Sequence, residues 1–294
     1  MAAALDLGTL SPLWNIYLTV LAVAWGACIG SFLNVCIYRI PREESVVHPG
    51  SHCPHCGRGI AWYDNIPLVS FFVLRARCRQ CGGPISARYV LVEALVALLF
   101  LLVWWKYPLT GLARPLALSA VGTIWLVPIY WLAVSGLVLG TFVDFEHMII
   151  PDRVSLGGIV AGLLFSALVP AMQGAPTWWA GLKAAALGAA VGSGSLWAVA
   201  FIGRLIFRKD AMGMGDIKLL GAIGAFLGWP AVLFTVLVSS LFGSIVGVTL
   251  VLTRQKAMQS RIPYGPYLAL AALIWIFWGP RLWHTYVAAV TLTL

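Results

Sequence analysis

Gly213-Met214-Gly215-Asp216-Ile217-Lys218 breaks into an apolar stretch, with Trp178–Ile202 before it and Ile217–Leu227 opening out of it. A carboxylate and an ammonium therefore stand at the edge of an apolar run, where ionisable groups are costly and mark function by default. Gly213 and Gly215 leave the backbone open to close approach by a ligand or an extended peptide. The plainer alternative is that Asp216 only caps a helix beginning at Ile217. A second carboxylate cluster turns the reading towards chemistry: Asp144-Phe145-Glu146-His147-Met148-Ile149-Ile150-Pro151-Asp152. The membrane topology brings it to the same side.

That topology follows from composition. The 294 residues are 61% hydrophobic and 10% charged, with a mean hydropathy of +0.92. No soluble domain of this size buries so much apolar surface, so an all-α polytopic membrane protein is expected. About eight transmembrane helices are predicted: Trp14–Ile37, Tyr89–Trp105, Leu116–Val143, Val154–Val169, Trp178–Ile202, Ile217–Leu227, Ala231–Leu252 and Tyr264–Trp278. Ahead of Trp14 stands Asp6 and no Lys or Arg. A cleaved signal peptide needs a basic leading region, so the first apolar run is expected to be retained.

With the N-terminus outside, fifteen Lys and Arg fall on inner loops and four on outer ones. This satisfies the positive-inside rule and places Asp144, Asp152 and Asp216 on the cytoplasmic face. The net charge of +9 is spread between apolar segments, a pattern that suits an anionic leaflet and argues against a nucleic-acid partner. From Asp216 to Trp229 a helix rises only about 20 Å against a hydrocarbon core of ~30 Å. A start recessed below the surface would resolve the mismatch.

Residues 39–88 are expected to be the only sizeable soluble insertion, a small cytoplasmic loop domain between the first and second spans. Cys53-Pro54-His55-Cys56 and Cys78-Arg79-Gln80-Cys81 are separated by 21 residues. Each knuckle turns tightly enough to offer two thiolates to one ion, and four close a structural Zn2+ site. Disulfides are the rival, disfavoured in a reducing cytosol. His48, His52 and His55 are spare, and four sulfurs leave no open position for catalysis. Cys28 and Cys36 read as small apolar residues of the first span.

Asp144 lies at the end of one helix and Asp216 at the start of another. Two carboxylates sharing a proton can activate a water and protonate the developing gem-diol, the chemistry of aspartic proteases. Asp144 and Asp216 are the candidate catalytic residues, with Gly213, Gly215, Lys218 and Asp152 in support. Asp152 is expected to cap and shape the fourth helix. Lys218 either steers a substrate group or snorkels to the interface. Glu93 is a polar anchor for Arg88 or a pocket residue. Glu146 and His147 lack the HExxH spacing of a metal-dependent hydrolase.

The chain resembles the bifunctional prepilin leader peptidases of type IV pilus and type II secretion systems, membrane aspartic peptidases of the GxGD kind. The similarity covers most of its length. It rests on Gly30-Ser31-Phe32-Leu33-Asn34-Val35 with Arg39-Ile40-Pro41, the paired CxxC, Trp62-Tyr63-Asp64-Asn65-Ile66-Pro67, and Arg88-Tyr89 through Glu93. Asp144 with Ile150-Pro151-Asp152, Gly213 through Lys218, and Ile262-Pro263-Tyr264-Gly265-Pro266-Tyr267 complete it.

The resemblance implies cleavage of the basic leader of a prepilin or pseudopilin, on the cytoplasmic side and after a glycine, by Asp144 and Asp216. It also implies methylation of the new N-terminal amine by S-adenosylmethionine. The implied location is the bacterial inner membrane. The implied division is a first helix over 1–38, a methyltransferase-associated zinc loop with its four cysteines over 39–88 and a peptidase domain over 89–294. No glycine-rich dinucleotide-style loop marks the methyl-donor site. A competing class is a proton- or cation-coupled transporter with a zinc-stabilised regulatory loop. Against it, no inverted repeat is found and the acids gather at one face.

Overall fold

A computed structural model describes residues 12–107, 125–208, 212–253 and 263–293. The first residues of the expected third span, Arg114 ahead of it, and the basic residues Lys209, Arg254, Lys256 and Arg261 lie outside the described residues. Among the described residues the protein is helical, with two isolated β-bridges, His52 with Gly59 and Arg77 with Pro84. The helices are α1 (Pro12–Arg39), α2 (Val69–Val73), α3 (Ala87–Lys106), α4 (Leu126–His147), α5 (Asp152–Leu168), α6 (Trp178–Phe207), α7 (Met214–Leu227), α8 (Trp229–Leu252) and α9 (Gly265–Thr293).

Eight of these meet the eight apolar segments of the sequence. Five are long and apolar enough to cross a membrane: Leu13–Arg42, Ala87–Lys106, Leu126–His147, Trp178–Ile206 and Trp229–Leu252. At 14 residues, α7 spans only about 21 Å at 1.5 Å per residue.

The chain divides into two compact units, Met1–Leu139 and Gly140–Leu294. In the first unit α1 lies against α3 along small residues. A Cβ on Gly26 would sit 2.8 Å from the Ala97 Cα, and one on Gly30 would sit 2.7 Å from the Glu93 Cα. Glycine at these crossings lets the backbones close, the usual means of joining helices where lipid competes for apolar surface. The contact carries polar clasps. Asn34 donates to the Tyr89 carbonyl at 3.0 Å, and the Trp104 indole donates to Thr19 at 3.2 Å. Phe100 stacks on Trp131 at 4.7 Å, and the Trp131 indole donates to the Phe100 carbonyl.

In the second unit the short α7 is the central element. Ile217 and every residue from Leu219 to Phe226 are buried. Its neighbours reach it through glycine: a Cβ on Gly188 or Gly192 of α6 would run into the carbonyl oxygen of Gly224 or Leu220. From α5, a Cβ on Gly158 or Gly162 would meet the Cβ of Ala222 or Ala225 at 2.9 and 2.7 Å.

Because α7 ends inside the unit, its last carbonyls need partners other than water. Gln173 supplies them, its amide donating to the carbonyls of Ala225 at 2.9 Å and Phe226 at 3.4 Å. Ser166 donates to the same Ala225 oxygen. Gly228, at φ 81°, then turns the chain into α8. Gln173→Leu takes this donor from Phe226 and leaves Ala225 to Ser166 alone, and a loss of about 1–3 kcal/mol is expected. A lowered midpoint of thermal unfolding in detergent checks it.

Candidate functional site

The carboxylates are set by helix ends. Asp144 occupies the last turn of α4, where the Met148 N–H closes on its backbone carbonyl at 2.9 Å. Its side chain is 5% exposed, and Oδ2 accepts the Gly265 N–H at 3.0 Å. Gly265 opens α9, so its N–H is one of the donors a helix start leaves free. Tyr264 fixes that start, since its hydroxyl meets Ser239 Oγ of α8 at 2.7 Å. A Cβ on Gly265 would stand 2.8 Å from Asp144 Oδ2 and 3.0 Å from Ile150 Cδ1.

Asp216 does not cap a helix beginning at Ile217. Helix α7 begins at Met214 with Gly213 as its N-cap, so Asp216 is the third helical residue. From there its carboxylate reaches back to the Gly213 N–H, as the third residue of a capping box does. It also lies close enough to Asp144 for the two charges to repel. The structure therefore brings together the two carboxylates that the sequence set 72 positions apart.

Ile150 is the hinge of this arrangement. It is buried, and its Cβ lies 3.0 Å from the place a Cβ on Gly215 would take. Gly215 and Gly265 thus let the ends of α7 and α9 close around one side chain of the Ile150-Pro151 turn. Gly213 faces Asp216 Oδ2 in the same way, at 3.3 Å from its own missing Cβ. Lys218 neither snorkels free nor points at the dyad: its Nζ pairs with Asp152 Oδ1 at 2.7 Å. Asp152 makes no capping hydrogen bond; Pro151 is the N-cap of α5, and the acid ties α5 to α7 through Lys218. His147 lies 4.0 Å from Glu146, and neither belongs to a metal-ligand group among the described residues.

Sequence reasoning missed the roles of Ile150 and Gly265. The signals were their places in the motifs Ile150-Pro151-Asp152 and Ile262 through Tyr267, and Gly265 between Pro263 and Pro266, a small residue at a forced helix start. Gly265→Ala moves the Asp144 carboxylate, and a displacement of that order costs about 10²-fold in rate. A fall in kcat with KM unchanged checks it; Gly157→Ala, with nothing within 4 Å of its added Cβ, is the silent control.

In the first unit the four knuckle cysteines converge. Their sulfurs all lie within 4.8 Å of one another, and Cys53 Sγ stands 3.8 Å from Cys81 Sγ. Four thiolates at ~2.3 Å from a tetrahedral zinc would be about 3.8 Å apart, so the donor set fits such an ion.

The two knuckles repeat one backbone pattern. Gly57 N–H donates to Cys53 O and Gly82 N–H to Cys78 O, with both glycines at φ 69°. That left-handed step is why glycine follows each CxxC. Backbone N–H groups of Cys81 and Gln80 draw the Cys78 thiol down to about 6, while, against the Gly83 N–H, burial and the neighbouring thiols hold Cys81 up at about 11. Of the spare histidines, none joins the cluster; His55 packs on Gly83. Glu93 accepts the Leu68 N–H at 2.7 Å, which resolves it as an anchor for the loop.

Known proteins add the following. Residues 24–107 match the family described as Bacterial Peptidase A24 N-terminal domain, and residues 131–248 match the Type IV leader peptidase family. Among curated proteins the chain is 40% identical to a prepilin leader peptidase/N-methyltransferase of Myxococcus xanthus, over 85% of this chain and 67% of that protein. It is 35% identical to a protein of the same name from Pseudomonas putida, covering 91% of this chain and 93% of the relative. The corresponding figures for Aeromonas hydrophila are 38%, 88% and 90%. No solved structure gave a match.

Proposed function

Because this chain belongs to the type IV leader peptidase family, we propose that it cleaves the basic leader of prepilins or pseudopilins and methylates the amine so exposed. Asp144 and Asp216 are the catalytic pair. The observation that carries this is their juxtaposition: a buried acid held by the Gly265 N–H, within electrostatic reach of an acid in the first turn of α7.

The pair shares one proton. Its ionised member takes a proton from water as the water oxygen bonds to the carbonyl carbon of the glycine before the scissile bond. Its protonated member gives a proton to the carbonyl oxygen, forming a gem-diol. Collapse of that diol breaks the C–N bond, and the leaving nitrogen takes a proton back from the dyad. Gly213 and Gly215 leave room for an extended substrate backbone beside Asp216. The glycine of the substrate is what lets its own chain unwind there.

For the second activity the neutral amine is the nucleophile. S-adenosylmethionine supplies an activated methyl group on sulfur. Residues 39–88 serve this activity, with Cys53, Cys56, Cys78 and Cys81 holding a structural zinc that shapes the loop and performs no chemistry. Every helix but α2 lies across the inner membrane, the short α7 from a recessed start, with the N-terminus outside and the dyad facing the cytoplasm.

The test is co-expression with a prepilin, read by gel shift and by mass of the mature N-terminus. Leader removal with a further gain of about 14 Da, one methyl replacing one hydrogen on the nucleophilic amine, supports both activities. An intact leader beside folded protein overturns the reading. No observation in the structure favours the transporter alternative.

A further inference from the structure

The segment Trp62–Val73 of the loop domain has its polar and apolar faces reversed for a segment bathed in water. In α2 the buried residue is Ser70, at 8% exposure, while Phe72, Val73 and Val69 are 70%, 67% and 54% exposed. Ahead of α2, Trp62 is 80% exposed and Ile66 41%. This is not a frayed loop. Ser70 Oγ donates to the Tyr63 carbonyl at 3.1 Å and accepts the Ile66 N–H at 3.0 Å. Asp64 is locked to Arg79 of the second knuckle by a two-pronged contact, Nε to Oδ2 at 2.8 Å and Nη2 to Oδ1 at 2.6 Å. The apolar side chains are therefore held outward by a rigid frame.

The depth of that frame is also fixed. Leu68, at φ 63° and ψ −52°, forms a tight turn in which the Val69 N–H closes on the Pro67 carbonyl. Its own N–H donates to Glu93 Oε2 at 2.7 Å. Glu93 is buried in α3, six residues beyond Ala87, about 9 Å along the helix axis. The whole of α3, Ala87–Lys106, is 20 residues, about the ~30 Å needed to cross a hydrocarbon core. If α3 crosses, nothing of its length is left over, and Leu68 is tied to a point below the surface. Helices lying in a membrane interface sit about 5–10 Å into the acyl boundary. Exposed Arg75 and Arg77 follow α2 directly, suited to anionic headgroups.

We propose that Trp62–Val73 is embedded in the inner surface of the bilayer, with Trp62, Ile66, Val69, Phe72 and Val73 facing lipid, so that the cysteine domain is docked on the membrane and does not hang free in the cytosol. This extends the sequence reading, which took residues 39–88 as a soluble insertion. It rests on α3 crossing a bilayer and is independent of the peptidase reading.

The test places a photoreactive p-benzoylphenylalanine at Phe72, and separately at Val69, in the full chain reconstituted into phosphatidylethanolamine–phosphatidylglycerol vesicles. Exposed Arg58 on the first knuckle is the aqueous reference, and Leu98, exposed at mid-α3, is the lipid reference. Mass analysis after irradiation should show phospholipid adducts at 72, 69 and 98 and their loss at 58. Lipid adducts at 98 but at neither loop position, in protein that keeps its metal, overturn the proposal. So do adducts at 72 and 69 to a second copy of the chain or to a co-reconstituted prepilin, which would make the face a protein-docking surface. Absence at 98 overturns the premise as well. An inactive peptidase with adducts at 72 and 69 leaves this inference standing.

Discussion

Asp144→Asn and Asp216→Asn each abolish leader removal, with an expected loss of about 10⁴-fold, or roughly 5.5 kcal/mol of transition-state stabilisation. The two losses should not add. A pair that shares one proton, as proposed, works as one unit, so the double variant should be no slower than either single one. Asparagine is the informative choice because it keeps size and hydrogen bonding while removing the ability to trade a proton. At 144 the amide oxygen still accepts from Gly265, so the end of α9 should stay in place and the variant should remain folded. Single-turnover rates on a detergent-solubilised prepilin check the magnitude. Cleavage persisting at more than a tenth of the wild-type rate in both single variants would remove these residues from the mechanism.

The second large effect concerns the metal. Cys56→Ser should take bound zinc from about one ion per chain to none and open residues 39–88 to proteolysis, since structural zinc contributes about 10–16 kcal/mol to folding of such small sites. The two cysteine knuckles have little else to hold them to each other. Each has one isolated β-bridge of its own, Arg58 donates across to Gln80 at 3.1 Å, and of the four cysteines only Cys53 is buried. Metal analysis and limited proteolysis read the two consequences. The helices of Gly140–Leu294 form their own unit and should survive the same protease treatment. Removing the ion from wild type with a chelator should reproduce the proteolytic pattern. With the loop unfolded, the mass gain from methylation should disappear from the mature substrate.

Most helices were legible because hydropathy marks them directly, and the paired CxxC carried the cysteine centre by itself. The boundaries were less legible, for a physical reason. Backbone pairing carries α4 past its apolar part to His147, so Asp144, read as a helix end, has three more helical residues after it. Likewise Gly213 takes the capping position, which moves Asp216 from cap to first turn. Contacts across long separations were illegible. Nothing local says that the N–H of Gly265 will meet a carboxylate 121 positions earlier, or that Gln173 will finish a helix 52 residues on. The partner of Lys218 was hidden for the same reason: a lysine at an interface reads alike whether it snorkels or pairs with Asp152.

The make-up of α7 bears on proton leakage if the proposed pair works inside an energised membrane. A protease that keeps a shared proton inside a bilayer risks becoming a leak. From Leu219 to Phe226 this helix presents only buried apolar residues and glycine, and its far end is plugged by the Gln173 amide. Beyond Lys218, the side chains of α7 itself therefore offer a proton at Asp216 no titratable group to hop to. For the proposed pair, such a blind alley would let acid–base chemistry run without short-circuiting a proton gradient.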